Sequence, residues 1–136
     1  MPDSRRPALL LLAVTLSTTP LAAQSPVTGD FIDDYRSRHT ITDTAWLHHP
    51  GTRYRITRWD SAGQFLIARN VDSTWTRIDW MALEAMPPWT WAFCIATWNA
   101  PTADSAARVT IARRDAPRTG CNGFPFTRMR PADDLP

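Results

Sequence analysis

The chain has 136 residues and a formal net charge of +2, from 15 basic and 13 acidic side chains. That length supports one domain and excludes multi-domain enzymes, solenoids and multi-span membrane proteins. A charge so near zero also argues against a dedicated nucleic-acid binder. Every basic residue is Arg, Glu84 is the one Glu, and seven residues are Trp. Arg in place of Lys follows from the codon usage of a GC-rich genome, and it also supplies planar groups for bidentate contacts to anions. Scarce Lys and Glu disfavour a helical protein, because both are favoured on helix surfaces.

The N-terminus reads as an export signal. Arg5 and Arg6 precede an apolar run, Ala8 to Leu16, and then the small-residue stretch Ser17 to Ala23. That order of charged, apolar and small segments predicts a signal peptide over 1–23, cleaved after Ala23. Nine apolar residues are too few to span a bilayer, so no transmembrane segment is expected. The remaining 113 residues would carry 13 Arg, 12 acids and all seven Trp, with a charge of about +1. Residues 24–30 read as a flexible lead and 31–136 as a single β domain. The expected location is periplasmic or extracellular. In an oxidising compartment Cys94 and Cys121, the only cysteines, are expected to form one structural disulfide.

From His39 onward, short β-type runs alternate with turn residues. His39 to Trp46 is the first, ending at the loop signal His48-His49-Pro50-Gly51. Arg53 to Trp59 and Phe65 to Asn70 form the two arms of a hairpin around Asp60-Ser61-Ala62-Gly63, with Gly63 suited to a left-handed position. Trp75 to Met81 places Thr76, Ile78 and Trp80 on one face and Trp75, Arg77 and Asp79 on the other. Met81 to Met86 connects to Pro87-Pro88. Trp89 to Trp98 is the longest strand, with Trp89, Trp91, Phe93, Ile95 and Thr97 on one buried face. Pro101 to Arg108 opens a helix, with Thr102 or Asp104 as N-cap. Phe124 to Arg128 reads as an edge strand, since Pro125 is poorly tolerated in a central one. Together these predict a small antiparallel β-barrel or sandwich of five or six strands, with one short late helix and one disulfide.

Residues for chemistry are sparse. His48 and His49 are adjacent and point to opposite faces of an extended segment, so they cannot share a metal; a site from His39, one of that pair and an Asp is the one arrangement open. Ser61, Ser73 and Ser105 sit in turn or helix-start contexts outside any nucleophile elbow. Asp79 lies among apolar neighbours with Arg77 two residues away on its face, which favours an ion pair over a general acid. No phosphate-cradling glycine loop is present. Arg interleaved with aromatics is the richer signal: Arg53, Arg55, Arg58, Arg69 and Arg77 stand among Tyr54, Trp59, Trp75 and Trp80. Such a set supplies stacking and bidentate contacts for an anionic ligand, although exposed strand faces also carry Arg to keep sheet edges from pairing.

The segments Phe65 to Asn70, Trp75 to Trp80, Trp91 to Cys94 and Gly120 to Phe124 resemble stretches of small uncharacterised exported bacterial domains. In that group a Trp-x-Arg-aromatic/Ile-Asp-Trp strand, an aromatic-Cys strand, an Ala-rich helix and a Gly-Cys-x-Gly-Phe segment follow in order. The resemblance covers about residues 54 to 127. It implies the fold, the disulfide and a structural Arg77–Asp79 pair, but no activity.

The expected function is therefore non-catalytic binding of a small molecule, glycan or envelope protein. Arg55, Trp59, Arg69 and Trp75 are the candidate ligand contacts; no catalytic residue, metal or cofactor is assigned. The alternatives are a small secreted hydrolase or metal enzyme built on His39, His48, His49 and nearby Asp, and an interaction module of the envelope with no small ligand.

Overall fold

The computed structural model describes Ala8, residues 10–16 and residues 27–134. Residues 10–16 are exposed and carry no regular secondary structure, and the cleavage point expected after Ala23 lies outside the described residues. From Gly29 the chain runs through eight antiparallel strands: β1 (Gly29–Asp33), β2 (Arg38–Ile41), β3 (Ala45–His48), β4 (Thr52–Asp60), β5 (Phe65–Arg69), β6 (Trp75–Ala82), β7 (Trp91–Ala100) and β8 (Thr127–Pro131). Each pairs with its sequence neighbours, and β8 also pairs with β1, so the sheet closes into a barrel.

The antiparallel β architecture agrees with the sequence, but the strand count rises from five or six to eight. The run around His39 to Trp46 is a hairpin of two short strands, β2 and β3. β1 begins within the segment read as a lead, and Val27 of that lead is fully buried in the barrel core. The C-terminal strand is no edge. Thr127–Pro131 is hydrogen-bonded on both sides, and Pro125 lies before it, where its missing N–H costs no ladder bond.

Alternation along the strands sends Phe31, Ile41, Trp46, Ile56, Leu66, Ile78, Trp80, Trp91, Phe93 and Met129 into one interior. An eight-stranded barrel is just wide enough for side chains to fill it or for one small ligand to enter. Trp59, Trp80 and Val27 fill the end bearing the β2–β3, β4–β5 and β6–β7 connections.

Register shifts on β4 and β7 adjust the alternation. Between Ile56 and Arg58 the pairing of β4 with β5 skips a residue, so Trp59 joins Tyr54 and Ile56 inside while Arg58 points out. On β7 the shift falls between the partners of Arg77 and Ile78, leaving Thr97 outside, opposite Arg77, rather than on the face of Phe93 and Ile95. In the β4–β5 turn the left-handed residue is Gln64, with φ 53°, not Gly63. Gly63 is needed for space instead, because a Cβ there would stand 2.8 Å from the Phe65 ring.

The long β7–β8 connection wraps the outside. Its helix α1 (Ala103–Ala107) is capped by Thr102 in a reciprocal box with Ser105, and covers Phe65, Ile67, Trp75 and Ala100. Beneath it, Arg77 donates two 2.9 Å hydrogen bonds to Asp79, one to each carboxylate oxygen, and a further bond to the carbonyl of Ala107. Arg114 adds a 3.2 Å bond to the same carboxylate and holds the carbonyls of Gly63, Gln64 and Trp80. The Cys94–Cys121 disulfide, with Cα atoms 5.5 Å apart, ties β7 to the same connection. Among the described residues no helix is long and apolar enough to cross a membrane.

Two stability outcomes follow. Cys94→Ser should cost about 3–4 kcal/mol by releasing a 27-residue loop, read as a lower denaturant midpoint that reduction of the native protein reproduces. Asp79→Ala leaves Arg77 and Arg114 facing a site without its carboxylate and should cost about 3–5 kcal/mol. Truncating the largely exposed Arg58–Asp60 pair should cost under about 1 kcal/mol in the same assay.

Candidate functional site

At the end bearing the β1–β2, β3–β4 and β5–β6 connections the interior is not filled. A cavity of about 250 Å³ lies there, bounded by Trp46, Tyr54, Ile78, Phe93 and Ile95, with Asp33, Tyr35, Ser37, His39, His48 and Thr127 as its other members. It has room for about eight waters at ~30 Å³ each.

Strand register explains how three polar groups meet inside a barrel. His39 and His48 are cross-strand partners on β2 and β3, and alternation turns both inward while His49 points out to Thr40. Asp33 ends β1, diagonal to His39, because Phe31 is the residue directly opposite it. The imidazoles of His39 and His48 stack with centroids 4.4 Å apart. Ligand atoms of Asp33, His39 and His48 all lie within 4.8 Å of one another.

The hydrogen bonds fix what this cluster can do. Trp46 Nε1, a donor only, gives a 3.0 Å bond to His39 Nδ1. His39 therefore carries its proton on Nε2 and donates it to Asp33 Oδ2 at 2.8 Å. Asp33 Oδ1 accepts from the backbone N–H groups of Tyr35 and Ser37 at 2.9 and 2.8 Å, which shapes the β1–β2 turn. Both ring nitrogens of His39 are thus committed. A metal-bound histidine donates from its second nitrogen, whereas His39 accepts there, so a cation on Nε2 would require loss of the Trp46 bond or a doubly deprotonated ring. The sequence's conceivable ligand trio is assembled in space, yet its wiring does not suit a resident metal held through His39. The same wiring leaves His39 no lone pair for general-base chemistry.

His48 and Tyr54 differ. Neither the His48 ring nor the Tyr54 hydroxyl has a hydrogen-bond partner among the described residues, and both residues line the cavity. Burial pushes the Tyr54 hydroxyl pKa up from its ordinary value, so it serves as a neutral donor.

Of the four residues read from the sequence as ligand contacts, Arg55, Arg69 and Trp75 stand in one cross-strand row on the outer face, and Trp59 lies apart against the barrel interior. Arg55 and Arg69 are cross-strand partners on the outer face of β4 and β5. Trp59 packs on Trp80 with centroids 5.7 Å apart, and its indole donates to the Asp43 carbonyl. Trp75 packs under α1. Among the serines, Ser61 lies in the turn at the filled end, and Ser105 is bonded into the α1 cap. Tyr54, Asp33 and Ile95 went unread as site residues because only barrel closure brings β1, β4 and β7 around one space.

Comparison with protein-family models, curated proteins and solved structures finds no match to this chain.

The buried cluster makes stability pH-dependent. Burial pushes the His39 pKa below its ordinary value of 6.5; the Asp33 hydrogen bond and charge pull it upward, and His48 and His49 push it further down. Because the folded value lies below the unfolded one, stability is complete above about pH 6.5 and falls as pH drops through the folded value, by at most about 1.4 kcal/mol per pH unit. Urea unfolding between about pH 8 and pH 5 should show this loss, and His39→Gln should flatten it.

Proposed function

We propose that the protein is an exported, non-catalytic binder of a small, largely apolar molecule, taken up in the cavity at the unfilled end of the barrel. The observation that carries this reading is a cavity walled by Trp46, Phe93, Ile78 and Ile95 and lined also by polar side chains, among which His48 and Tyr54 have no hydrogen-bond partner among the described residues. Apolar walls with a few oriented polar groups are the usual make-up of a small-molecule site. At about 250 Å³ the space suits a compact ring system or short chain, with one polar substituent meeting His48 and Tyr54. Export is supported by the charged, apolar and small order of residues 1–23 and by the disulfide.

Neutral 2-naphthol, titrated against the protein, should quench or shift the emission of Trp46, which lines the cavity. Ile95→Phe, which fills the mouth at an overpacking cost of about 1–3 kcal/mol, should abolish that response in a protein that remains folded. A response unchanged by Ile95→Phe would place the probe elsewhere and sink the reading. Native mass spectrometry of protein from an exporting host extends the test. A retained organic species would name the ligand class, and a stoichiometric retained metal would favour the metal-enzyme alternative instead.

A further inference from the structure

The outer face of β4 and β5 carries three arginines on one groove. Arg55 stands directly opposite Arg69, and Arg53 lies two residues away on the same face of β4. A directly opposed like-charge pair works against sheet stability, and here a third cation joins it. Five other arginines are paired: Arg58 with Asp60, Arg77 and Arg114 with Asp79, Arg113 with Asp115, and Arg128 with Asp34. Arg36, Arg38, Arg108, Arg118 and Arg130 stand without a carboxylate among the described residues, so what sets Arg53, Arg55 and Arg69 apart is that three unpaired cations share one groove. No carboxylate among the described residues comes within 4.0 Å of Arg53, Arg55 or Arg69, and the one hydrogen bond from their guanidiniums goes from Arg69 to the Ser73 hydroxyl. The nearby Asp72 carboxylate is turned to the backbone and hydroxyl of Thr74. Nor do these arginines protect a sheet edge, because β4 and β5 are each hydrogen-bonded on both sides.

The groove of about 310 Å³ between them shares Arg53, Asn70 and Val71 with a second one of about 440 Å³, on which Trp98 lies. Trp98 is 67% exposed, whereas Trp46, Trp80 and Trp91 are buried and Trp59, Trp75 and Trp89 half-buried. Its backbone is anchored: the Asn70 amide donates to the Trp98 carbonyl at 2.8 Å and to Thr74, and its oxygen accepts from Thr76. Every polar atom of the Asn70 side chain is thus spent fixing Trp98 relative to the β5–β6 turn. The result is a flat apolar platform beside three uncompensated guanidiniums.

We propose that this face binds an acidic sugar chain, with a sugar ring lying on the Trp98 indole and sulfate or carboxylate substituents held by Arg53, Arg55 and Arg69. Guanidinium forks match both anions bidentately, and the indole face accepts the apolar side of a ring. A single-stranded nucleic acid fits less well, since it needs a succession of exposed stacking rings, and beside Trp98 the grooves are bordered only by Tyr54, which packs against the barrel core. Tyr54 lies between this face and the barrel cavity, but Arg53, Arg55, Arg69 and Trp98 do not line that cavity, and the proposal stands or falls without it.

The test is calorimetric titration of the intact protein with a size-defined heparin oligosaccharide, and with a single-stranded DNA oligomer of equal charge. The oligosaccharide should bind, and the R53Q/R55Q double variant should weaken it about tenfold or more. The control R38Q/R118Q, which removes two exposed arginines away from the groove, should change affinity by less than about threefold. Trp98→Ala should weaken the oligosaccharide several-fold while leaving the weak binding of inorganic sulfate unchanged. Equal losses in the two arginine pairs would mean diffuse charge attraction and overturn the site. DNA binding as tight as the oligosaccharide would overturn the sugar assignment.

Discussion

The pairing of β8 with β1 is the constraint on which the other features depend. It turns an eight-strand meander into a cylinder with no free edge, and so creates an interior that side chains must fill or leave open. Trp-rich alternation fills one end. At the other end, β1, β2 and β3 bring in Asp33, His39 and His48 instead of a further layer of hydrocarbon, and space remains. The same closure changes the meaning of the arginines on β4 and β5, which have no edge to guard.

Polar groups inside a barrel need partners, and the Trp46–His39–Asp33 chain supplies them in one direction only. Each donor finds an acceptor, and the line ends on the backbone N–H groups that form the β1–β2 turn. The cluster therefore shapes the mouth of the cavity and sets the orientation of the His39 ring against which His48 stacks. A histidine so held is a structural part. His48 and Tyr54, with hydrogen-bonding capacity left over, are the groups that can meet a ligand.

The outside of the barrel solves a different problem. A small domain has limited core, and here the β7–β8 connection is laid over β5, β6 and β7 to bury a second apolar layer under α1. The Arg77–Asp79–Arg114 cluster and the disulfide, whose Cys94 stands directly opposite Asp79, pin the connection to neighbouring positions on β6 and β7. The clamps sit on the far side of the wall from the cavity, so the mouth is left to the short turns between strands.

The sequence by itself determined the local terms. Alternation put Thr76, Ile78 and Trp80 against Arg77 and Asp79, and buried Trp91 and Phe93; cysteine count and context paired Cys94 with Cys121; Thr102 and Asp104 marked where a helix cap would fall, and Thr102 is the cap. These are short-range preferences, in which a residue and its neighbours at fixed spacing decide the outcome. Tertiary structure decided the rest. A one-residue bulge at Thr57 sent Trp59 inside, and a second shift moved Thr97 out, because a register slip flips every side chain beyond it and is settled by the neighbouring strand. Barrel closure brought Asp33, His48, Tyr54 and Ile95 around one space from four strands, and set Trp98 beside Arg53 across the β5–β6 turn. No spacing along the chain encodes such meetings, since they depend on how many strands close the ring.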